Sequence, residues 1–239
     1  MPSSVTPPPV APAAYLSLRQ AALDALAESD PCKKITAVDK LVSTLPACAD
    51  LILQPNRPLP GRPQRPQLVD PREVSIRSTQ TQQGKAALMH SIAHIEFNAI
   101  NLALDIIWRF PGMPDDFYYD WLQVAREEAY HFSLVRGHLA ASGYQYGDFA
   151  AHNGLWDMAE KTADDILARL ALVNIQSSRA AWMYLRQSRT SCGQSTTSAA
   201  LRFWILSCAT KSAMSKPAIA GTCTAASNRT RIRWPLMRR

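Results

Sequence analysis

The stretch GKAALMHSIAHIEFNAINLALDIIWRFPGMPDDFYYDWLQVAREEAYHFSLVRGHLAASG, residues 84–143, decides the fold of this chain. Apolar residues recur every three or four positions in both halves, which is typical of helices with one buried face. Pro111-Gly112 ends the first helix, and Pro114 followed by Asp115 and Asp116 suits the start of the second. The buried stripes comprise Leu88, Ile92, Ala99, Ala103, Ile106, Ile107 and Phe110 in the first helix, and Trp121, Ala125, Phe132, Val135 and Leu139 in the second.

The sequence around this pair predicts an all-α protein. Helical spacing covers Tyr15 to Glu28, and Asp30-Pro31 begins a second short helix that we expect to end near Leu45. A third core helix is predicted from Leu155 to Val173, after a turn at Gly143. The expected organisation is an arm (residues 1–14), an N-terminal helical pair (15–53), a Pro-rich connector (54–80) that wraps over the main domain, a partial bundle with about three core helices (81–173) and an irregular basic tail (174–239).

Charge is divided abruptly along the chain. Residues 1–173 carry 15 Lys+Arg and 19 Asp+Glu, a balance of −4, whereas residues 174–239 carry 11 Lys+Arg and no acid, a balance of +11. The two balances sum to the net charge of +7. The tail also lacks histidine. Any site built from carboxylates and imidazoles is therefore expected in residues 1–173.

Bulk composition predicts a cytoplasmic protein that does not enter a membrane. Neither a signal peptide nor a long apolar run is recognisable. The pI of about 9.3 comes from the tail, so it is weak support for an acidic partner. The five cysteines have no zinc-binding spacing, and we interpret them as reduced thiols; they are Cys32, Cys48, Cys192, Cys208 and Cys223.

Three polar residues on the apolar stripes are candidate metal ligands. Glu128 lies on the stripe of the second long helix, and His131 follows one turn later in an ExxH motif. Glu96 lies on the stripe of the first long helix. A buried carboxylate must be protonated, paired or metal-bound, because an isolated buried charge is very costly. Carboxylate and imidazole together suit Fe or Mn. The alternative is a non-catalytic bundle in which Glu96, Glu128 and His131 form a buried polar network.

The other acidic and histidine residues considered are weaker candidates for metal ligands. Glu127 faces away from the stripe and is expected to be solvated, which makes it an internal control. His90 and His94 lie on the side of their helix that carries Asn101 and Asp105, so we expect them to support the site or to lie at the surface. His138 and His152 are expected to be ordinary polar positions.

Four stretches together resemble a known family: HSIAHIEFNAINLALDIIWRFPGMP, REEAYHF, YGDFAAHNGLW and RLALV. They are similar to an uncharacterised bacterial ferritin-like family, the domain of unknown function numbered 455, over roughly residues 15–173. The resemblance implies that Glu96, Glu128 and His131 are ligands of a di-metal site. The full ligand set of ferritin-like bundles is two lone Glu and two ExxH motifs, so these residues make half of it.

The resemblance also implies a class of function. The plan is similar to that of di-iron hydroxylases, including some that act on modified tRNA, which is an analogy of fold. We therefore expect an oxygen-activating oxidoreductase in the intact form, with Fe or Mn as cofactor and a small molecule or modified nucleoside as substrate. The present chain, with half of the ligands, is expected to hold at most one metal weakly and to be inactive.

The missing ligands are compatible with a shifted reading frame in the tail. Starting two bases into each codon, Trp182-Met183-Tyr184 necessarily contains codons for Asp-Val. In the same frame, Phe203 to Ser215 can read Leu-Asp-Ile-Ile-Leu-Arg-Asp-Glu-Val-Gly-His-Val, which contains an ExxH. We interpret the tail as the product of a single-base deletion or a sequencing error near Asn174 to Ser177.

Two further expectations concern the tail. Its arginines, together with Trp234, can contact phosphates and stack on bases, so an RNA-associated protein is the alternative to the frameshift, although nucleic-acid binding is the weaker interpretation. Residues 199–206, AALRFWIL, are apolar enough for a C-terminal helix. Loss of a fourth bundle helix would uncover the inner stripes, which predicts self-association.

Overall fold

The computed structural model describes residues 17–75 and 77–172, and within them the chain is helical. Its named helices are α1 (Leu18–Leu26), α2 (Pro31–Lys40), α3 (Gln82–Arg109), α4 (Asp115–Ala141) and α5 (Gly154–Lys161). The described part contains no strand, only an isolated parallel bridge between Leu68 and Ala151. The all-α prediction is confirmed.

The chain divides into two compact units, residues 1–166 and residues 167–239. All five named helices belong to the first unit. The second unit is described only over residues 167–172, which are helical. The predicted arm and the predicted C-terminal helix at residues 199–206 lie outside the described residues, as does nearly all of the basic tail.

Helices α3 and α4 form the centre of the first unit, and their connection is short and internally bonded. The Tyr118 hydroxyl donates to the carbonyl of Phe110 at 2.8 Å and accepts from the amide of Met113 at 3.1 Å. Gly112 has φ +75°, a conformation that favours glycine. This turn holds the end of α3 against the start of α4, so the two long helices run antiparallel.

The remaining helices pack around this pair. Helix α1 packs on α3, α2 packs on α1 and α4, and α5 packs on α3. Arg19 of α1 is fully buried, and its guanidinium donates to five carbonyl oxygens. Two of these belong to Ile107 and Trp108 in the last turn of α3, where a positive charge also favours the helix dipole.

The Pro-rich connector contacts α1 and the loop after α4. The amide of Gly61 donates to the carbonyl of Leu26 at 2.8 Å. A Cβ at Gly61 would lie 2.3 Å from the carbonyl oxygen of Ala27, so the connector approaches α1 closer than any side chain would permit. Further along, Val69 and Ala151 are joined by a hydrogen bond of 2.9 Å. The connector therefore ties α1 to the loop after α4.

The predicted third core helix is interrupted, so its prediction as one helix from Leu155 to Val173 is wrong. Helix α5 ends at Lys161, and helical structure resumes at residue 166. The Thr162 hydroxyl donates to the carbonyls of Met158 and Ala159, which competes with the continuing helix. The second short helix also ends earlier than predicted, at Lys40.

Within the described residues, no helix combines the length and the apolar character that crossing a membrane requires.

Candidate metal centre

The α3–α4 hairpin brings the predicted ligands to one level of the bundle. Glu96 lies 13 residues before the end of α3 at Arg109 (109 − 96), and Glu128 lies 13 residues after the start of α4 at Asp115 (128 − 115). Because antiparallel helices joined by a short turn pair residues equidistant from it, the two carboxylates meet. His131 is one turn beyond Glu128 on the same face of α4.

The three side chains form a compact buried cluster. Glu96, Glu128 and His131 are 2%, 4% and 6% exposed, and one ligand atom from each lies within 4.8 Å of the others. Nδ1 of His131 is 3.4 Å from Oε2 of Glu128 and 3.8 Å from Oε2 of Glu96. The structure thus brings all three candidate residues together; their role as metal ligands stays a prediction.

Apolar side chains surround the cluster on both helices. Ile92 and Ile100 flank Glu96 on α3, while Ala125 and Phe132 flank Glu128 and His131 on α4, and all four are buried. Such walls keep water from the carboxylates and strengthen any electrostatic interaction between them and a cation.

The donor set is chemically suited to a divalent transition metal. Two carboxylates and one imidazole combine hard oxygen ligands with a borderline nitrogen, a combination found for iron and manganese. Ligands about 2.0–2.2 Å from one ion lie within about 4.4 Å of each other. The observed 4.8 Å limit is close to that span, so small side-chain shifts bring the three atoms into one coordination sphere. The residues therefore fit a metal.

Glu127, the internal control, has a different environment from its neighbour Glu128. It is half-buried, and its Oε1 accepts a hydrogen bond from Nε2 of Gln123 at 3.0 Å on the exposed side of α4. Tyr130, between the cluster residues in sequence, is 56% exposed. Glu127 is thus less exposed than expected, but it takes no part in the Glu96–Glu128–His131 cluster.

The two histidines of the opposite face of α3 form a second polar group, and of the two positions expected for them, support of the site or the surface, His90 does not occupy the surface. His90 is 1% exposed, and its Nε2 accepts from the amide of Gly147 at 2.9 Å. Burial lowers the pKa of His90 to about 4. His94 contacts the hydroxyl of Tyr146 through Nδ1 at 2.9 Å. These contacts come from the loop after α4, whose path could not be predicted.

Burial also lowers the pKa of His94 to about 4, despite the nearby carbonyl of His152. Burial raises the pKa of Tyr146. Both groups are therefore neutral near pH 7. Neither His90 nor His94 joins the Glu96–Glu128–His131 cluster.

Lys34 is a buried residue that the sequence reasoning missed. It is 0% exposed, and its Nζ donates to the carbonyls of Leu26 and Gly61 and to Oδ1 of Asn101. Burial lowers its pKa to about 7. A weak signal existed, since Lys34 is one turn from Val38, the other buried residue of α2.

The fold and the cluster together define a class: a helical protein with a buried Glu/Glu/His group whose arrangement could hold a metal ion. The chain belongs to a family described as a protein of unknown function (DUF455), which matches residues 27–177. An uncharacterised protein of Haemophilus influenzae is 47% identical over 163 residues. That match covers 62% of this chain and 57% of the relative, so this chain spans little more than half of its relative's length. No solved structure matches.

Proposed function

We propose that this chain is a ferritin-like metal–carboxylate protein in which Glu96, Glu128 and His131 bind Fe or Mn. The observation that supports the proposal is the convergence of two carboxylates and an imidazole, all nearly inaccessible to water, within 4.8 Å. Burying such acids is costly unless their charge is compensated, and a divalent cation compensates two carboxylates at once.

The proposed activity of the intact form is oxidoreductase chemistry with oxygen. Bound Fe or Mn supplies open coordination positions and redox chemistry that protein side chains lack. The protein's own residues have other tasks: Glu96 and Glu128 hold the ion from opposite helices, and His131 adds the nitrogen ligand. The apolar residues around them, among them Ile92 and Phe132, exclude water. A small molecule or a modified nucleoside is the proposed class of substrate.

The chain as it stands carries half of the di-metal ligand set, so we propose that it is inactive. The missing Glu and ExxH belong, in this proposal, to a shifted reading frame of the tail, which lies outside the described residues. The family match extends to residue 177, close to the expected position of the shift near Asn174 to Ser177. Sequencing the gene across these codons tests the idea. An intact frame whose alternative translations contain no ExxH overturns it.

The metal proposal predicts that ion binding depends on Glu128 and not on Glu127. Added Fe(II) or Mn(II) is expected to raise the melting temperature of the full chain under anaerobic conditions, since an ion that binds only the native state stabilises it. The Glu128→Gln variant should show no such rise, and it should retain no metal after gel filtration. Differential scanning fluorimetry and elemental analysis provide the two measurements.

Glu127→Gln is the matched control, because it makes the same chemical change one residue away on the solvated side of α4. It is expected to retain both the melting-temperature rise and the metal content. An equal loss in both variants, or no loss in Glu128→Gln, would contradict the assignment.

The second candidate is a non-catalytic bundle in which the three residues form a polar network. The contacts of His131 with both carboxylates favour it, because a protonated imidazole can compensate part of their charge. This candidate predicts that neither ion changes the melting temperature. It also predicts that His131→Gln destabilises the protein as much without metal as with it.

A further inference from the structure

A small polar cavity lies on the other side of α3 from the Glu96 cluster. Its volume is about 20 Å³; the Pro-rich connector, α3 and the loops after α4 line it, and it is partly open to solvent. The polar residues that line it are Arg62, His94, Asn98, Asn101, Tyr146 and Asn153, and none of its lining residues is acidic. Asn101 follows Glu96 by five residues, which places it about 140° around the helix axis. The cavity is therefore separate from the proposed metal centre.

Most polar groups around the cavity already have partners. Nδ2 of Asn98 donates to the carbonyl oxygen of His94 at 2.9 Å and lies 3.0 Å from its Nε2. The hydroxyl of Tyr146 is engaged with Nδ1 of His94. Nδ2 of Asn153 donates to Asp157. These groups build the walls of the cavity.

Asn101 and Arg62 have donors without a protein partner among the described residues. Asn101 is 1% exposed, and its Oδ1 accepts from Nζ of Lys34 at 2.5 Å. Because an ammonium can only donate, this contact fixes the orientation of the carboxamide and leaves Nδ2 on the side of the cavity. Within residues 17–75 and 77–172, neither Nδ2 of Asn101 nor the guanidinium of Arg62 donates a hydrogen bond to another protein group.

The electrostatic environment of the cavity is positive. Lys34, directly behind Asn101, is fully buried, and its three recorded acceptors are all neutral. Its pKa falls to about 7 chiefly through burial, and the charge of Arg62 lowers it further while Glu28 raises it. The carboxylates of Glu160 and Asp157 also act on the charge of Arg62. A buried cation without an adjacent acid is costly, and an anion in the cavity would offset that cost.

We propose that this cavity binds the carboxylate group of a small molecule. Nδ2 of Asn101 and the guanidinium of Arg62 are its hydrogen-bond donors. The ammonium of Lys34 acts through Asn101, since its bond to Oδ1 polarises the carboxamide and strengthens Nδ2 as a donor. A planar carboxylate also matches the fork of an arginine, and its two oxygens match the two donors, whereas a phosphate would bring further oxygens that these donors leave unpaired.

The test uses the full chain without added metal at about pH 6, where Lys34 is protonated. Sodium formate is the carboxylate probe, inorganic phosphate is the competing oxyanion, and sodium chloride at equal ionic strength is the reference. Formate is expected to raise the melting temperature saturably above the chloride value, and phosphate to have a smaller effect. No saturable effect of formate would overturn the proposal, and an effect of phosphate equal to or above that of formate would overturn the assignment to a carboxylate.

Two variants and a control locate the site. Arg62→Gln removes one charged donor and is expected to weaken formate binding about tenfold or more. Arg57→Gln makes the same change at an exposed position of the same connector and should leave binding unchanged. Asn101→Asp is nearly isosteric and places a carboxylate beside Lys34, so the variant should remain folded and lose the formate response. Wild-type affinity in either Arg62→Gln or Asn101→Asp would show that formate binds elsewhere.

Discussion

The buried ammonium of Lys34 makes the stability of the helical core depend on pH, because its charged form is costly to bury. Its stem packs beside Phe97, with Nζ 5.0 Å from the ring centroid, so part of the compensation for its charge comes from an aromatic face. The rest comes from the neutral acceptors Leu26, Gly61 and Asn101. These contacts do not restore the pKa of 10.5 of a solvated lysine, and the folded value is about 7.

Stability is therefore expected to rise with pH over the interval between these two pKa values. Between pH 7 and 10.5 the unfolded chain keeps the proton on Lys34 while the folded chain releases it, so each increase in pH favours folding. The contribution is about 1 kcal/mol per pH unit. Urea unfolding of the wild type and of Lys34→Met at several pH values up to about 9.5 measures it, since Lys34→Met should lose this part of the slope. If the stability of the wild type and of Lys34→Met changed in parallel with pH, the result would contradict the lowered pKa of Lys34.

The sequence permits a good prediction of the central helices because their signals are local. The spacing of apolar residues in α3 and α4, and the Pro and Gly residues between them, act within a few positions. The same spacing predicts that Glu96, Glu128 and His131 turn inward. Lys34 and Asn101 were missed because they are 67 residues apart and meet only through the path of the connector. The break at Thr162 was missed because a hydroxyl bonding back to Met158 leaves no mark in the hydrophobic pattern.

At the scale of elements, Arg19 joins three segments of the chain. Its guanidinium donates to Ile107 and Trp108 of α3 and to Cys48, Ala49 and Leu51 of the segment after α2. The last carbonyls of α3 would otherwise lack donors, as at any helix C-terminus. One side chain of α1 thus serves both as the cap of α3 and as the anchor of the neighbouring loop.

Replacing this residue is expected to destabilise the protein strongly. Arg19→Met keeps much of the side-chain volume but leaves several carbonyls without a donor, at about 1–3 kcal/mol for each buried acceptor. We expect a loss of about 3 kcal/mol or more in the free energy of unfolding. Gln20→Met, at a half-buried position of the same helix, should change it by less than about 1 kcal/mol. Chemical denaturation compares the two, and similar losses would show that the guanidinium contacts contribute little.

At the scale of the whole molecule, the proposed function depends on ligands that this chain does not supply. Three ligands from α3 and α4 suit one ion, whereas the di-metal centres of ferritin-like bundles also use two further helices. The relative from Haemophilus influenzae has 43% of its length outside the match (100 − 57), which is room for such elements. Under the proposed frameshift, the metal-binding capacity of the intact form has to be measured on a chain whose reading frame has been restored.

If the tail is frameshifted as proposed, restoring the reading frame is expected to change the metal content. The present chain should retain at most about one Fe or Mn per molecule, and the restored chain about two, by analogy with di-metal bundles. Elemental analysis after anaerobic loading and desalting gives the ratio for both proteins. An equal ratio in the two chains would contradict the role assigned to the missing ExxH.

The short turn between α3 and α4 makes the contacts among Glu96, Glu128 and His131 local in sequence. All three candidate ligands come from residues 96–131, one continuous segment that closes on itself at Phe110–Pro114. Closing a short loop costs little chain entropy, and local helical contacts form quickly. The three side chains therefore meet through contacts that are local in sequence, and a change of sequence downstream need not prevent them from meeting.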